Sequence, residues 1–175
     1  MRQIGVTPAA VDPAEIDEAP VPAEPPRAYA LRMALSKLAG VVPRHPADLV
    51  LAADSVVACG RRILPKAETE AEVRACLKLL SGRRHRVLGG VAAALAGQPP
   101  RLRLVETVVR FKRLETAEID AYVASGEGQG KAGGYAIQGR AAAFVAFISG
   151  SYSNVVGLPL FETAALLTAL DGQSE

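Results

Sequence analysis

Leu49-Val50-Leu51-Ala52-Ala53-Asp54-Ser55-Val56-Val57-Ala58-Cys59 carries apolar residues on both alternating faces. A strand with one wet face alternates apolar and polar side chains, whereas a strand covered on both faces does not. The segment therefore predicts a buried strand, which requires layers of structure above and below it. Gly60-Arg61-Arg62 turns the chain into a short return strand ending near Lys66.

Working outward, Pro26 suits the first position of a helix running to Leu38, with Gly40 as its stop. Residues 6–26 are rich in Pro, Ala and acids, and read as an irregular connection carrying Ile16-Asp17-Glu18. Thr69-Glu70-Ala71-Glu72 is a capping box that opens a second helix. Its apolar stripe is Val73, Cys76, Leu77 and Leu80, and Ser81-Gly82 ends it. Val87 to Ala96 and Leu102 to Phe111 read as paired strands joined at Gly97-Gln98-Pro99-Pro100. Thr116 caps a helix to Ser125, Ala142 to Ile148 forms a strand, and Pro159 opens a last helix facing inward through Leu160, Ala164 and Leu167. This interleaving predicts one α/β domain over residues 1–175, a three-layer arrangement with a mixed twisted sheet flanked by helices.

Composition narrows the function. Half the residues are apolar and 22% are charged, which is ordinary for a soluble globular chain. Net charge is +2 with a single dense basic cluster, Arg83-Arg84-His85-Arg86, so a nucleic-acid polymer is not the expected partner. Cys59 and Cys76 lack metal-ligand spacing and fit a reducing cytoplasm. The apolar run Val87 to Ala96 is too short to span a bilayer, and no apolar leader follows Met1.

Asp54 interrupts the buried strand. A carboxylate there is costly unless hydrogen-bonded, ion-paired or bound to a cation. It could accept backbone N–H groups at a strand end, or serve a ligand site, since α/β proteins place ligands at strand ends. Lys131-Ala132-Gly133-Gly134-Tyr135-Ala136-Ile137-Gln138-Gly139 adds a lysine, a glutamine and glycines whose backbone could approach an anion. Asp17, Glu18, Lys37 and Lys66 are each unremarkable alone, and His85 reads as a base or a structural hydrogen-bonder. Neither a Walker loop nor a Gly-x-Ser-x-Gly elbow is present. Dispersed lysines, carboxylates and a glutamine are the parts for a metal-assisted attack of water on a polyphosphate.

The order of these pieces resembles the Maf family of nucleoside triphosphate pyrophosphatases over essentially the whole chain. The matching segments include Ile16-Asp17-Glu18, Arg32 to Lys37, Ala53 to Val57, Leu80 to Val87, Ser125-Gly126-Glu127, Lys131 to Gly139 and Ser153 to Leu160. The resemblance implies a Maf/ITPase-like fold and a cytoplasmic house-cleaning enzyme. Such an enzyme cleaves a nucleoside triphosphate between the α and β phosphates, giving the monophosphate and pyrophosphate, with Mg²⁺ or Mn²⁺. It implies Asp54 as the general base or metal-orienting carboxylate. Glu18, and more weakly Asp17, join it at the metal, while Lys37, Lys66, Lys131 and Gln138 hold phosphate. The Ile-Gln-Gly element resembles the branch acting on dTTP and UTP. A homodimer is expected by analogy alone, and no membrane association is expected. The family's usual first strand and Ser/Arg-rich loop have no counterpart here, which leaves a catalytically weak nucleotide-binding regulator linked to cell division as the alternative. Ala67 and Gly89 stand where the family commonly has Pro and Thr.

Overall fold

A computed structural model describes residues 1–96 and 98–171. After a 3-10 turn at Arg2–Ile4, the elements run α1 (Pro26–Val41), β1 (Val50–Cys59), β2 (Arg62–Leu64), β3 (Lys66–Ala67) and α2 (Glu70–Leu80). They continue as β4 (Arg84–Ala94), β5 (Arg101–Phe111), α3 (Thr116–Ala124), β6 (Lys131–Ala132), β7 (Val145–Ser149), α4 (Tyr152–Val156) and α5 (Leu160–Asp171). The α/β class holds. The sheet has five strands in the order β2-β1-β4-β5-β7, and its pairings among the described residues are antiparallel throughout, which replaces the expected mixture of directions. A separate two-stranded ribbon pairs β3 with β6. Of the predicted connection Gly97 to Pro100, Gly97 lies outside the described residues.

The strand predicted to be covered on both faces is β1. Val56, with Leu88 of β4, packs on Tyr29, Ala30 and Met33 of α1. Its neighbour Val57 points the other way, into a cluster with Val73, Leu77 and Leu80 of α2 and Tyr122 of α3. Side chains two residues apart share a face and adjacent ones do not, so one strand glues both helical layers to the sheet. Each such fully buried large apolar side chain contributes about 1.5–3 kcal/mol relative to exposure.

How closely α1 sits is set by Gly90. A Cβ there would lie 2.2 Å from the Ala30 carbonyl oxygen, so the helix backbone rests directly on β4. The helix does not stop at Gly40. It runs on to Val41, which is buried against the sheet, and Ile16 of the N-terminal connection lies beside Gly40. The Thr69–Glu72 capping box and the stripe of α2 form as expected. In α3 the cap is Glu115, boxed with Glu118, and Thr116 is the first helical residue. The predicted strand 142–148 begins as a 3-10 turn, Arg140–Phe144, and extends only from Val145. The buried positions of α5 are Thr163, Leu166 and Leu170, one step round the helix from the predicted face.

Candidate functional site

The site gathers where α1 crosses β1. Lys37 projects from α1, and its Nζ lies 2.5 Å from Asp54 Oδ1 in β1 and 2.8 Å from Glu18 Oε1. The second oxygen of Glu18, Oε2, lies 2.7 Å from Lys66 Nζ on β3. Four residues far apart in sequence thus form one chain of charge, Asp54–Lys37–Glu18–Lys66. Asp54 and Lys37 have side-chain exposures of 10% and 18%, whereas Glu18 and Lys66 reach 38% and 48%. The inner pair is therefore shielded from solvent and the outer pair opens onto it.

Glu18 comes from an irregular segment, so something must hold it. The Tyr29 hydroxyl donates to the Glu18 carbonyl oxygen at 2.6 Å, and Arg32 donates to the Ala19 carbonyl and grips the Glu24 carboxylate. Both come from α1, the helix that supplies Lys37. Their spacing to one another, i and i+3, puts them on a common side of the helix, which is the only sequence signal that could have identified them.

Electrostatics follow from these contacts. The Lys37 hydrogen bond, then that of Lys66, holds the Glu18 carboxyl below its ordinary range. Burial alone would push the Lys37 ammonium down, but its bonds to Asp54 and Glu18 together outweigh that and raise it. At neutral pH Lys37 is therefore charged and neutralises two carboxylates at once.

Beyond Lys66 the cleft continues past Lys131, Gln138 and Ala136, with Val155, Val156 and Gly157 as its far wall. This part has a volume of about 190 Å³ and shares Asp54, Ser55, Lys66 and Ala132 with an adjoining depression of about 370 Å³ that contains Glu18. Ser55 ties the wall to β1 by donating to the Gly157 carbonyl at 3.3 Å. Asn154 pins the short α4 from below, its amide nitrogen donating to the Val87 and Val105 carbonyls. Neither Ser55 nor Asn154 is marked by its residue type. A further cavity of about 570 Å³ lies along the N-terminal segment and the Val50–Ala53 end of β1, and of the charged cluster it touches only Lys37.

The predicted site residues separate into two groups. Asp54, Lys37, Glu18 and Lys66 are in mutual contact, and Lys131 and Gln138 line the same cleft. Asp17 is not brought in: it is exposed, and its Oδ1 accepts the Ala19 N–H at 2.8 Å in a local turn. The Gly-rich loop also works differently from expectation. Gly130 and Gly133 donate their N–H groups to the carbonyls of Ala67 and Pro65, and Gly134 donates to Lys131, so these amides close the loop instead of facing an anion. Gly133 is needed for packing, since its φ is +68° and a Cβ would lie 2.8 Å from Val57 Cγ1. His85 is buried and shares a 2.8 Å hydrogen bond with the Tyr135 hydroxyl; burial lowers its pKa to about 4, which leaves it neutral and structural.

A divalent cation can be tested against these donors. Among the described residues no three His, Cys, Asp or Glu side chains converge. Glu18 and Asp54 do converge, on the Lys37 ammonium. Two carboxylates suit a hard cation that takes its other ligands from water and phosphate, as Mg²⁺ commonly does. Glu18 and Asp54 are therefore the residues that would hold such an ion.

Fold and site together define an α/β protein with an antiparallel sheet and a cleft lined by lysines and two carboxylates. The chain belongs to the Maf family: the model of that family, described as Maf-like protein, matches residues 1–170. It is 61% identical over 170 residues to a protein of Caulobacter vibrioides named dTTP/UTP pyrophosphatase, covering 97% of this chain and 88% of that one. Proteins of the same name from Paramagnetospirillum magneticum and Rhodospirillum rubrum are 60% and 57% identical over 95% of this chain, which covers 88% and 80% of their lengths.

Proposed function

We infer that this chain is a nucleoside triphosphate pyrophosphatase of the Maf family, acting on dTTP and UTP to give the monophosphate and pyrophosphate. The observation that carries the reading is the Lys37 ammonium bridging Asp54 and Glu18, with Lys66 on the other oxygen of Glu18. A triphosphate brings several negative charges to a place where lysines already satisfy carboxylates. Lys66 and Lys131 lie on the paired β3 and β6, so both can turn to phosphate oxygens while the ribbon backbone stays fixed. Lys37 is more enclosed and neutralises charge nearer the reacting phosphate.

Asp54, shielded from bulk solvent, lines the cleft beside Lys37. It orients a water molecule and takes its proton as the water oxygen bonds to phosphorus. The anhydride bond between the α and β phosphates breaks, and pyrophosphate leaves with the electron pair. A divalent cation held by Glu18 and Asp54 would supply charge neutralisation on the phosphate oxygens. Gln138 offers a neutral amide in the same cleft. No described helix is long and apolar enough to cross a membrane, and two thiols without a disulfide suit a cytoplasmic setting.

The test is product analysis with UTP, dTTP and 7-methyl-GTP in Mg²⁺ or Mn²⁺. Pyrophosphate and monophosphate from UTP and dTTP, with little turnover of 7-methyl-GTP, are expected. Release of inorganic phosphate, or tight nucleotide binding with no product, would point to a different reaction or to the regulator.

A further inference from the structure

Gln138 protrudes into the cleft from a turn that has no regular secondary structure of its own, so its position must be imposed from outside. The turn is closed by the Gly139 N–H donating to the Ala136 carbonyl at 3.1 Å. Tyr135 and Ile137 are buried while Gln138 is exposed, so its neighbour Ile137 is anchored inward and Gln138 faces out. Two side chains from one short stretch then grip the two ends. The buried Tyr122 hydroxyl of α3 accepts the Ala136 N–H at 3.0 Å. The Glu127 carboxylate, just past α3, accepts the Arg140 N–H through Oε2 at 2.7 Å. Glu127 also sits so close to Gly139 that a Cβ there would lie 2.1 Å from Oε2. Ser125 fixes the link between the grips, its hydroxyl donating to the Tyr122 carbonyl and accepting the Glu127 N–H.

We propose that Tyr122 and Glu127 form a clamp on the Ala136–Arg140 turn and are positioning residues for Gln138. Neither touches the cleft, so their effect on turnover passes through the glutamine. The Glu127 bond is charge-assisted and among the stronger kinds, while that of Tyr122 is shielded from water. Loss of either lets the turn drift, and misplacement of a site group by about 1 Å costs up to about a hundredfold in rate. The kinetic part rests on the pyrophosphatase reading; the mechanical part does not.

A double-mutant cycle tests it. Glu127→Ala is expected to lower kcat/KM for UTP about tenfold or more, and Glu127→Gln, which keeps an acceptor oxygen, to restore most of that loss. On a Gln138→Ala background, Glu127→Ala should cost less than about twofold, the margin within which independent effects are told apart. Tyr122→Phe, which deletes only the hydroxyl, should behave in the same way and guards against a folding failure of the alanine variant. Losses that multiply in full on the Gln138→Ala background would overturn the clamp. Hydrogen exchange on the unliganded protein separates the two layers: residues 136–140 should exchange faster in Glu127→Ala and Tyr122→Phe at unchanged global stability. Unchanged exchange there would overturn the clamp even if UTP were never hydrolysed.

Discussion

Lys37 is in contact with both carboxylates of the site, and that sharing makes it more consequential than any single ion pair. Remove it and the shielded Asp54 loses its ion-pair partner while Glu18 keeps only Lys66, so Lys37→Met should reduce both stability and turnover. Lys66 is different because it is half exposed and, among the described residues, ion-pairs with Glu18 alone. Lys66→Ala should raise KM for UTP about tenfold, the size of one lost charge-assisted contact, with a smaller change in kcat. Steady-state kinetics on a folded variant decide it, and an unchanged KM would remove Lys66 from the phosphate site. At this scale the sequence is partly readable. Asp54 announces itself as a charge inside an apolar strand, and Lys131 and Gln138 by their company in a Gly-rich stretch. Glu18, Lys37 and Lys66 come from family resemblance, since an isolated lysine on a helix flank carries no signal of its own. Tyr29 and Arg32, which hold the Glu18 segment, escape assignment because their work is done on backbone atoms that only the fold brings near.

Elements matter through how closely they pack. Glycine at position 90 lets α1 lie against β4, and α1 carries Lys37, Tyr29 and Arg32 together. Gly90→Ala would force a Cβ to within 2.2 Å of the Ala30 carbonyl oxygen, so the helix must lift. Overpacking of this kind costs about 1–3 kcal/mol or more, and the denaturation midpoint should fall accordingly. Activity should fall further than stability alone explains, because the lysine rides on the displaced helix. Full stability and activity in the Gly90→Ala variant would show that α1 does not set the site. Elements with periodic apolar residues are legible: β1, α2 and β5 fall within a residue or so of expectation. Boundaries decided by tertiary contact are not. Helix α1 passes through Gly40 because Val41 is buried, β4 starts at Arg84 because its cross-strand partner Arg110 is there, and α4 is a short turn held by Asn154.

Across the whole molecule, the buried His85–Tyr135 pair joins the Gly-rich loop to the sheet and couples the fold to pH. The unfolded chain takes up a proton through the ordinary histidine value of 6.5, whereas the folded chain resists it until about 4. A depressed pKa of this kind gives stability that is complete above 6.5 and is lost as pH falls toward 4, by about 3 kcal/mol in all. His85→Gln keeps a hydrogen-bonding partner for Tyr135 without the titration. Its urea midpoints at pH 7 and about pH 4.5 should therefore lie closer together than those of the unmodified protein. The layered α/β architecture is legible because one strand is apolar on both faces. The direction of strand pairing is not, since antiparallel and parallel partners ask the same of a buried strand. Nor is the work of the Gly-rich loop, because glycine that permits close packing on Val57 looks in sequence like glycine that admits a phosphate.

Everything in the proposed reaction turns on Asp54, which is held by Lys37, lines the cleft and is proposed as the general base for hydrolysis of a pyrimidine nucleoside triphosphate. The direct measurement is pyrophosphate release from UTP and dTTP by the unmodified chain and by Asp54→Asn, with circular dichroism and thermal unfolding recorded for both. Release by the unmodified chain is expected, with a loss of at least about a hundredfold in the variant, the range for a missing general base, and the fold retained. Equal turnover by a folded Asp54→Asn would contradict that role.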